Sequence, residues 1–164
     1  AAGTGRPVLF KDFVVDPVQL EAAAASGASC VLLILALFER GYAACGLEAM
    51  LAAARGLGLE ALLEVYDAGE YRRARASSAP MIGVNNRDLK TLKVDLSTTA
   101  AVLGAAPKDR PVWGLSGVHG PDDVRALASA GADACLVGTA LMRAADPGAL
   151  LCDLLGAASA PSPG

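Results

Sequence analysis

The residues best suited to chemistry lie in Met81-Ile82-Gly83-Val84-Asn85-Asn86-Arg87-Asp88-Leu89, where an apolar strand opens into four consecutive polar residues. A parallel strand covered on both faces should be almost purely apolar. An Asn-Asn-Arg-Asp run at its carboxyl end is therefore poorly explained by packing, and active sites of α/β barrels gather at that end of the strands. Arg87 can fork onto a carboxylate or phosphate, and Asn85 can both donate and accept hydrogen bonds. A solvated βα turn is the plainer alternative. Other strand ends carry polar or glycine residues of the kind that handle phosphate. His119, the only histidine, stands in a loop beside Gly120-Pro121 with no Cys, Asp or second His at ligand spacing, so it reads as a solvated residue and no metal site is indicated.

Positioning such residues takes a repeating framework. Apolar runs predict strands at Val8–Phe13, Ser29–Ile34, Ala61–Val65, Met81–Val84, Val112–Leu115 and Ala134–Val137. Helical stretches lie between them. Asp16-Pro17 and Asp146-Pro147 each set an N-cap acid before a proline at the first helical position. Gly27 and Gly131 sit where a helix must end in a left-handed turn, and Gly56-Leu57-Gly58 does the same after the helix around Glu48–Arg55. Ser26-Gly27-Ala28-Ser29-Cys30-Val31-Leu32 resembles Ala130-Gly131-Ala132-Asp133-Ala134-Cys135-Leu136, with the glycines 104 residues apart. That is four strand–helix units of about 26 residues, the period of a parallel (βα) barrel or a doubly wound sheet. No Gly-x-Gly-x-x-Gly follows a strand, which counts against a dinucleotide-binding domain.

The 164 residues suffice for one domain with a sizeable core. Hydrophobic residues make up 54%, much of it alanine, and aromatics only 4%, a balance that suits helices packed on a sheet. A net charge of −3 leaves no basic footprint for nucleic acid. The most apolar window, Cys30–Phe38, is too short to span a bilayer. The four cysteines are widely spaced and read as reduced core or helix residues. Residues 1–6 are expected to be a disordered or remnant segment, 7–156 a partial barrel domain, and 157–164 a disordered tail.

Taken in order, the strand ends resemble one family. Val8-Leu9-Phe10-Lys11-Asp12-Phe13-Val14-Val15-Asp16-Pro17, Leu62-Leu63-Glu64-Val65, Ile82-Gly83-Val84-Asn85-Asn86-Arg87-Asp88-Leu89, Ser116-Gly117-Val118 and Val137-Gly138-Thr139-Ala140-Leu141-Met142-Arg143 are similar to indole-3-glycerol phosphate synthase, the tryptophan-pathway lyase that closes the indole ring. The resemblance implies strands three to eight of an eight-stranded TIM-type barrel, about six of its βα units. It implies ring closure, decarboxylation and dehydration of 1-(2-carboxyphenylamino)-1-deoxyribulose 5-phosphate, with no cofactor. Lys11 matches the lysine that protonates the substrate carbonyl oxygen as the carbon–carbon bond forms; its plain alternative is a surface cation before Asp12. Glu64 matches a catalytic carboxylate, and since an unpaired buried carboxylate is costly, a partner such as Lys11 is expected. Asn85, Arg87 and Ser116 match substrate-binding residues. Phe13 and Leu89 match apolar walls against the aromatic ring, with plain core packing as the alternative. Gly117, Gly138 and Thr139 match phosphate-binding positions, where backbone N–H groups face the anion; ordinary turn glycines are the alternative.

The chain also departs from the family pattern. No Glu-x-Lys-x-x-Ser-Pro-Ser motif occurs in it, Leu115 stands where the family has glutamate, Ala140 replaces a serine, and Tyr66 replaces a histidine. Two readings follow: the family lyase, or a catalytically inactive truncated relative that binds a phosphate ligand or a partner protein. A barrel without its first two strands would leave open edges, so self-association or pairing with an N-terminal segment is expected. No membrane or nucleic-acid partner is expected. The cytoplasm is the default location, or the plastid stroma for an alga or plant.

Overall fold

In the computed structural model, which describes residues 5–88 and 91–159, the helix signals operate as their chemistry requires. Asp16 accepts the Val18 N–H at 2.9 Å, and the Gln19 side chain accepts the Asp16 N–H at 3.1 Å, so a capping box opens α1 (Pro17–Ala25). Gly27 closes the turn after α1 at φ +77° and Gly131 closes the corresponding later turn at φ +97°. After the third helix the left-handed residue is Gly58, since the helix itself continues through Gly56.

The chain divides into two compact units, residues 1–65 with 69–82 and residues 66–68 with 83–164. The first holds β1 (Leu9–Phe10), α1, β2 (Cys30–Ile34), α2 (Leu35–Glu39), α3 (Leu47–Gly56), β3 (Glu60–Val65), nearly all of α4 (Ala68–Arg75) and the start of β4 (Met81–Asn85). The second holds the rest of β4, then α5 (Ser97–Gly104), β5 (Val112–Leu115), α6 (Pro121–Ser129), β6 (Ala134–Leu136), α7 (Thr139–Arg143) and α8 (Pro147–Ser159). Strand order follows chain order, β1-β2-β3-β4-β5-β6. Parallel pairing sets Leu9 beside Cys30, Ile34 beside Glu64, and Leu115 beside Leu136. Successive parallel strands joined by helices make this an α/β fold of the TIM-barrel type, with six βα units present.

Burial explains why the segments hold these forms. In the first unit, Val31 and Leu33 on one face of β2 and Leu32 on the other are all buried, as are Leu20 and Ala23 of α1 and Met50, Leu51 and Ala54 of α3. In the second, Val124 and Leu127 of α6 pack with Leu154 and Ala157 of α8 and with Val118. A Cβ on Gly114 would lie 2.8 Å from Leu127 Cδ1, so glycine lets α6 sit directly on β5. No helix among the described residues is long and apolar enough to cross a membrane.

Most strand ends fall within a residue of expectation, as at Cys30, Glu60 and Leu136, and three differences have a clear physical cause. β1 pairs only through Phe10, not to Phe13, because Asp12 turns its carboxylate back onto the Phe13 N–H at 2.8 Å and diverts the chain. β4 runs on through Asn85, past the apolar run that ended at Val84. The expected tail begins at Ala157, yet α8 continues to Ser159, because Ala157 is buried against the α6 cluster. The rest of that tail and residues 1–4 lie outside the described residues.

Candidate active site

Within the first unit, Lys11 follows β1 directly and is exposed. With Asp12, Phe13, Leu32 and Ile34 it lines a cavity of about 90 Å³. Leu32 and Ile34 are two residues apart on β2 and so share a face. The register that sets Ile34 beside Glu64 puts the glutamate on that same face, where it is 4% exposed. The expected Lys11–Glu64 ion pair does not form. By the strand register Lys11 lies level with Leu32, while Glu64 lies two residues further on and two strands across. Two strand spacings amount to about 10 Å across the sheet, and the two-residue offset along the strands adds about 7 Å in the other direction. Phe13 is 62% exposed, so it is not a core residue, and its ring is available to an apolar ligand.

In the second unit the chain after β4 folds back on itself. Arg87 and Val94 form an antiparallel bridge, the Asp88 N–H donates to Lys93 O at 2.9 Å, and the Leu92 N–H donates to Asp88 O at 2.7 Å. Leu92 takes φ +60° in the return, and its carbonyl accepts the Arg87 guanidinium at 3.3 Å. Asn85, the buried last residue of β4, accepts the Arg87 N–H on Oδ1 at 3.0 Å. Tyr66 belongs to this unit too. Burial, then the charge of Asp88 and a hydrogen bond to it, raise its phenol above the ordinary value of 10. Leu89 lies outside the described residues.

Asn86, which the sequence does not single out from its neighbours, is 1% exposed. Its Nδ2 donates to Leu115 O at 3.1 Å and Ser116 O at 3.2 Å. Its Oδ1 accepts from Thr99 N at 3.2 Å and Thr99 Oγ1 at 2.7 Å. Strand alternation held the signal: the residue after Asn85 must point the other way, toward the following helix.

The loop after β5 takes two successive left-handed conformations, Ser116 at φ +65° and Gly117 at φ +91°. A Cβ on Gly117 would lie 2.6 Å from Val94 Cγ1 and 3.0 Å from Leu96 Cδ2, so both backbone and space demand glycine there. Leu115 is 1% exposed and its side chain lies over Gly83, where a Cβ would be only 2.6 Å from Leu115 Cδ1. Since Gly83 and Asn85 share a face of β4, Leu115 fills the space beside Asn85. Gly138 precedes α7, with no heavy atom within 4 Å of where its Cβ would be, and Thr139 is the exposed first residue of that helix. His119 is exposed, and its backbone N–H donates to Asp123. Lys11, Glu64, Asn85, Arg87, Ser116, Gly117, Gly138 and Thr139 thus each stand at or just beyond the carboxyl end of their own strand.

A family model described as indole-3-glycerol phosphate synthase matches residues 2–154. The indole-3-glycerol phosphate synthase of Methanothermobacter marburgensis is 44% identical over 164 residues, which is all of this chain and 58% of that protein. Indole-3-glycerol phosphate synthase 2 of Streptomyces coelicolor is 47% identical over 150 residues, covering 92% of this chain and 57% of the relative. The chain therefore spans a little over half the length of these curated relatives. Among solved structures, thiamine phosphate pyrophosphorylase from Pyrococcus furiosus aligns with a TM-score of 0.67 at 21% identity, over 87% of this chain and 65% of that one. A mandelate oxidase variant aligns with a TM-score of 0.68 at 20% identity, over 94% of this chain and 59% of that one. At such identities the likeness concerns the fold alone.

Proposed function

The chain belongs to the indole-3-glycerol phosphate synthase family, and from that premise we propose that it carries the greater part of a site converting 1-(2-carboxyphenylamino)-1-deoxyribulose 5-phosphate to indole-3-glycerol phosphate. The observation that carries the reading is positional: each family-matched residue stands at or just beyond the carboxyl end of its own strand, where barrel enzymes place their chemistry.

The reaction joins the ring carbon that bears the carboxylate to the ketone carbon of the sugar chain. Carbon dioxide then leaves, and loss of the new hydroxyl as water completes the indole. Lys11 is the general acid: its ammonium gives a proton to the ketone oxygen as the carbon–carbon bond forms, so no free alkoxide develops. Glu64 supplies the carboxylate that orients the lysine's partner groups and takes part in later proton transfer. Placed two strands and two residues apart, the two side chains can reach one ligand from different strands. Asn85 bonds the sugar hydroxyls, and Arg87 pairs with the anthranilate carboxylate. The exposed Phe13 ring, together with Leu89, forms an apolar wall for the aromatic portion. Ser116, Gly117, Gly138 and Thr139 receive the phosphate through N–H and hydroxyl donors. The site needs no cofactor. The family lyases act in the soluble biosynthetic compartment, and the cytoplasm or plastid stroma is the proposed location.

The test is fluorescence detection of the indole product, with the chain assayed in its whole protein. Lys11→Met should lower kcat by about 10²–10⁴ while changing KM little, and Glu64→Gln should act in the same direction. Undiminished turnover in Lys11→Met would overturn the assignment. Phosphate binding with no turnover in the unmodified protein would instead support the non-catalytic relative, for which the replacement of glutamate by Leu115 is the favouring observation.

A further inference from the structure

Asn86 uses its whole amide. Each side-chain amide has two N–H donors and two acceptor sites, and here both protons go to the carbonyls of Leu115 and Ser116, while Oδ1 takes the Thr99 N–H and hydroxyl. The backbone adds two further ties: the Asn86 N–H donates to Leu115 O at 2.9 Å, and Asn86 O accepts the Asp95 N–H at 2.9 Å.

The two carbonyls held by Nδ2 belong to successive peptide groups. A trans peptide is planar, with its N–H opposed to its C=O. Drawing the Leu115 carbonyl toward Asn86 therefore turns the Ser116 N–H away from it, and drawing the Ser116 carbonyl does the same to the Gly117 N–H. The left-handed φ of +65° at Ser116 and +91° at Gly117 are what let two successive peptides share that orientation. Successive N–H groups turned to one side form a concavity that takes an anion. Ser116 is not glycine, so its left-handed backbone is strained and persists only where surrounding bonds hold it.

We propose that Asn86 is a positioning residue: its amide clamps the Leu115 and Ser116 carbonyls and so aims the Ser116 and Gly117 N–H groups at a phosphate monoester. The inference rests on the reading that this loop receives the phosphate of the substrate, and it adds the residue that sets the loop's geometry. Asn86 touches no ligand itself. Thr99 stands behind it and fixes the amide's orientation, because its two donors leave Oδ1 no other choice.

The experiment is a titration with inorganic phosphate, followed through the ¹⁵N–¹H signals of Ser116 and Gly117. The parent chain should show saturable shifts at both. Asn86→Asp keeps the side chain's size but removes both donors, and it should weaken binding at least tenfold. Thr99→Val, which leaves the Nδ2 bonds in place, should weaken it by less than threefold. Leu154→Ala, in the α6–α8 core of the same unit, should lower the melting temperature without lowering phosphate affinity, so a general loss of stability is separated from a loss of aim. Equal affinity in Asn86→Asp and parent would overturn the proposal. Ligand-free ¹³Cα and ¹³Cβ shifts of Ser116, which report its left-handed φ, give an independent decision. They should move in Asn86→Asp, and unchanged values would also overturn the proposal. A parent chain that shows no phosphate response, but whose Ser116 shifts do move on substitution, would reject the phosphate reading while keeping the clamp. Where Asn86→Asp is too unstable to assign, Asn86→Ser removes the same donors without adding charge and decides by the same two criteria.

Discussion

Gly83→Ala tests the close approach of β4 and β5 beside Asn85. The added Cβ would lie 2.6 Å from Leu115 Cδ1, 3.1 Å from Cγ and 3.4 Å from Cδ2. The first distance is too short for any carbon pair, so Leu115 must turn or the strands must part. Leu115 is 1% exposed, which leaves little room to turn, and an overpacked core costs about 1–3 kcal/mol. Leu115→Ala alone leaves a cavity and should cost about 2–5 kcal/mol. In the double variant the new methyl enters part of the vacated space and meets no clash. Its total cost should therefore be no more than that of Leu115→Ala, and the two changes should couple favourably by at least about 1 kcal/mol. Urea unfolding of the four proteins, compared at equal m-values, measures the cycle. Additivity within about 0.5 kcal/mol would refute the placement of the Leu115 side chain over Gly83.

Other substitutions give separate outcomes. Leu115→Glu puts a carboxylate where the surroundings are closed and apolar, so it should destabilise by several kcal/mol at neutral pH and recover in part as pH falls and the carboxyl protonates; equal stability at pH 5 and pH 8 would contradict this. Burial opposes ionisation of Asp133, but the Lys108 ammonium at 2.6 Å and the Val112 N–H at 2.8 Å outweigh it and hold the carboxyl below its ordinary 3.8. That stabilisation is full above the unfolded-state value and is lost as pH falls through the folded one, so Asp133→Asn should be less stable than the parent at pH 7 and equal to it at strongly acidic pH. Asp88→Asn should bring the Tyr66 phenol back toward 10 in a spectrophotometric titration, since the Asp88 charge and hydrogen bond help to hold it up. Burial pushes the Cys30 thiol up to about 11, so at pH 8 a disulfide reagent should modify the exposed Cys152 well before Cys30.

Much of the framework was legible because it is written in local chemistry. Asp16 before Pro17 fixes a helix start whatever surrounds it, and Gly27 and Gly131 take positive φ because no other residue does so freely. The strands stand out as apolar runs, and β2 to β5 are largely buried, as strands covered on both faces must be. What could not be read depends on contacts distant in sequence. α2 emerges directly from β2, and its Glu39 carboxylate pairs with Arg73 of α4; no pattern in Leu35–Glu39 separates it from the strand before it. The return of the chain from Arg87 to Val94 hangs on backbone hydrogen bonds and a left-handed Leu92, and leucine carries no turn signal. Lys11 was expected as a partner because a buried carboxylate needs one, but the two residues stand two strands and two residues apart, a register that sequence does not show.

The Asn-Asn-Arg-Asp cluster shows how a polar run at a strand end divides its labour. Alternation sends Asn85 to the face of Gly83 and Asn86 to the face of α5, so adjacent identical residues cannot share a role. Asn85 is the member that the proposed function gives to the ligand. Asn86 is consumed by Thr99, Leu115 and Ser116 and determines where other residues point. The same geometry bears on Leu115, which lies over Gly83 and beside Asn85. A leucine there keeps the space filled but can neither ionise nor accept a hydrogen bond. Under the proposed function Lys11 is the general acid, and a chain with leucine at 115 has one ionisable group fewer than a relative that retains glutamate there, so Lys11→Met should be the more damaging change in this chain. A smaller loss in this chain than in such a relative would mean that another group here has taken over the proton.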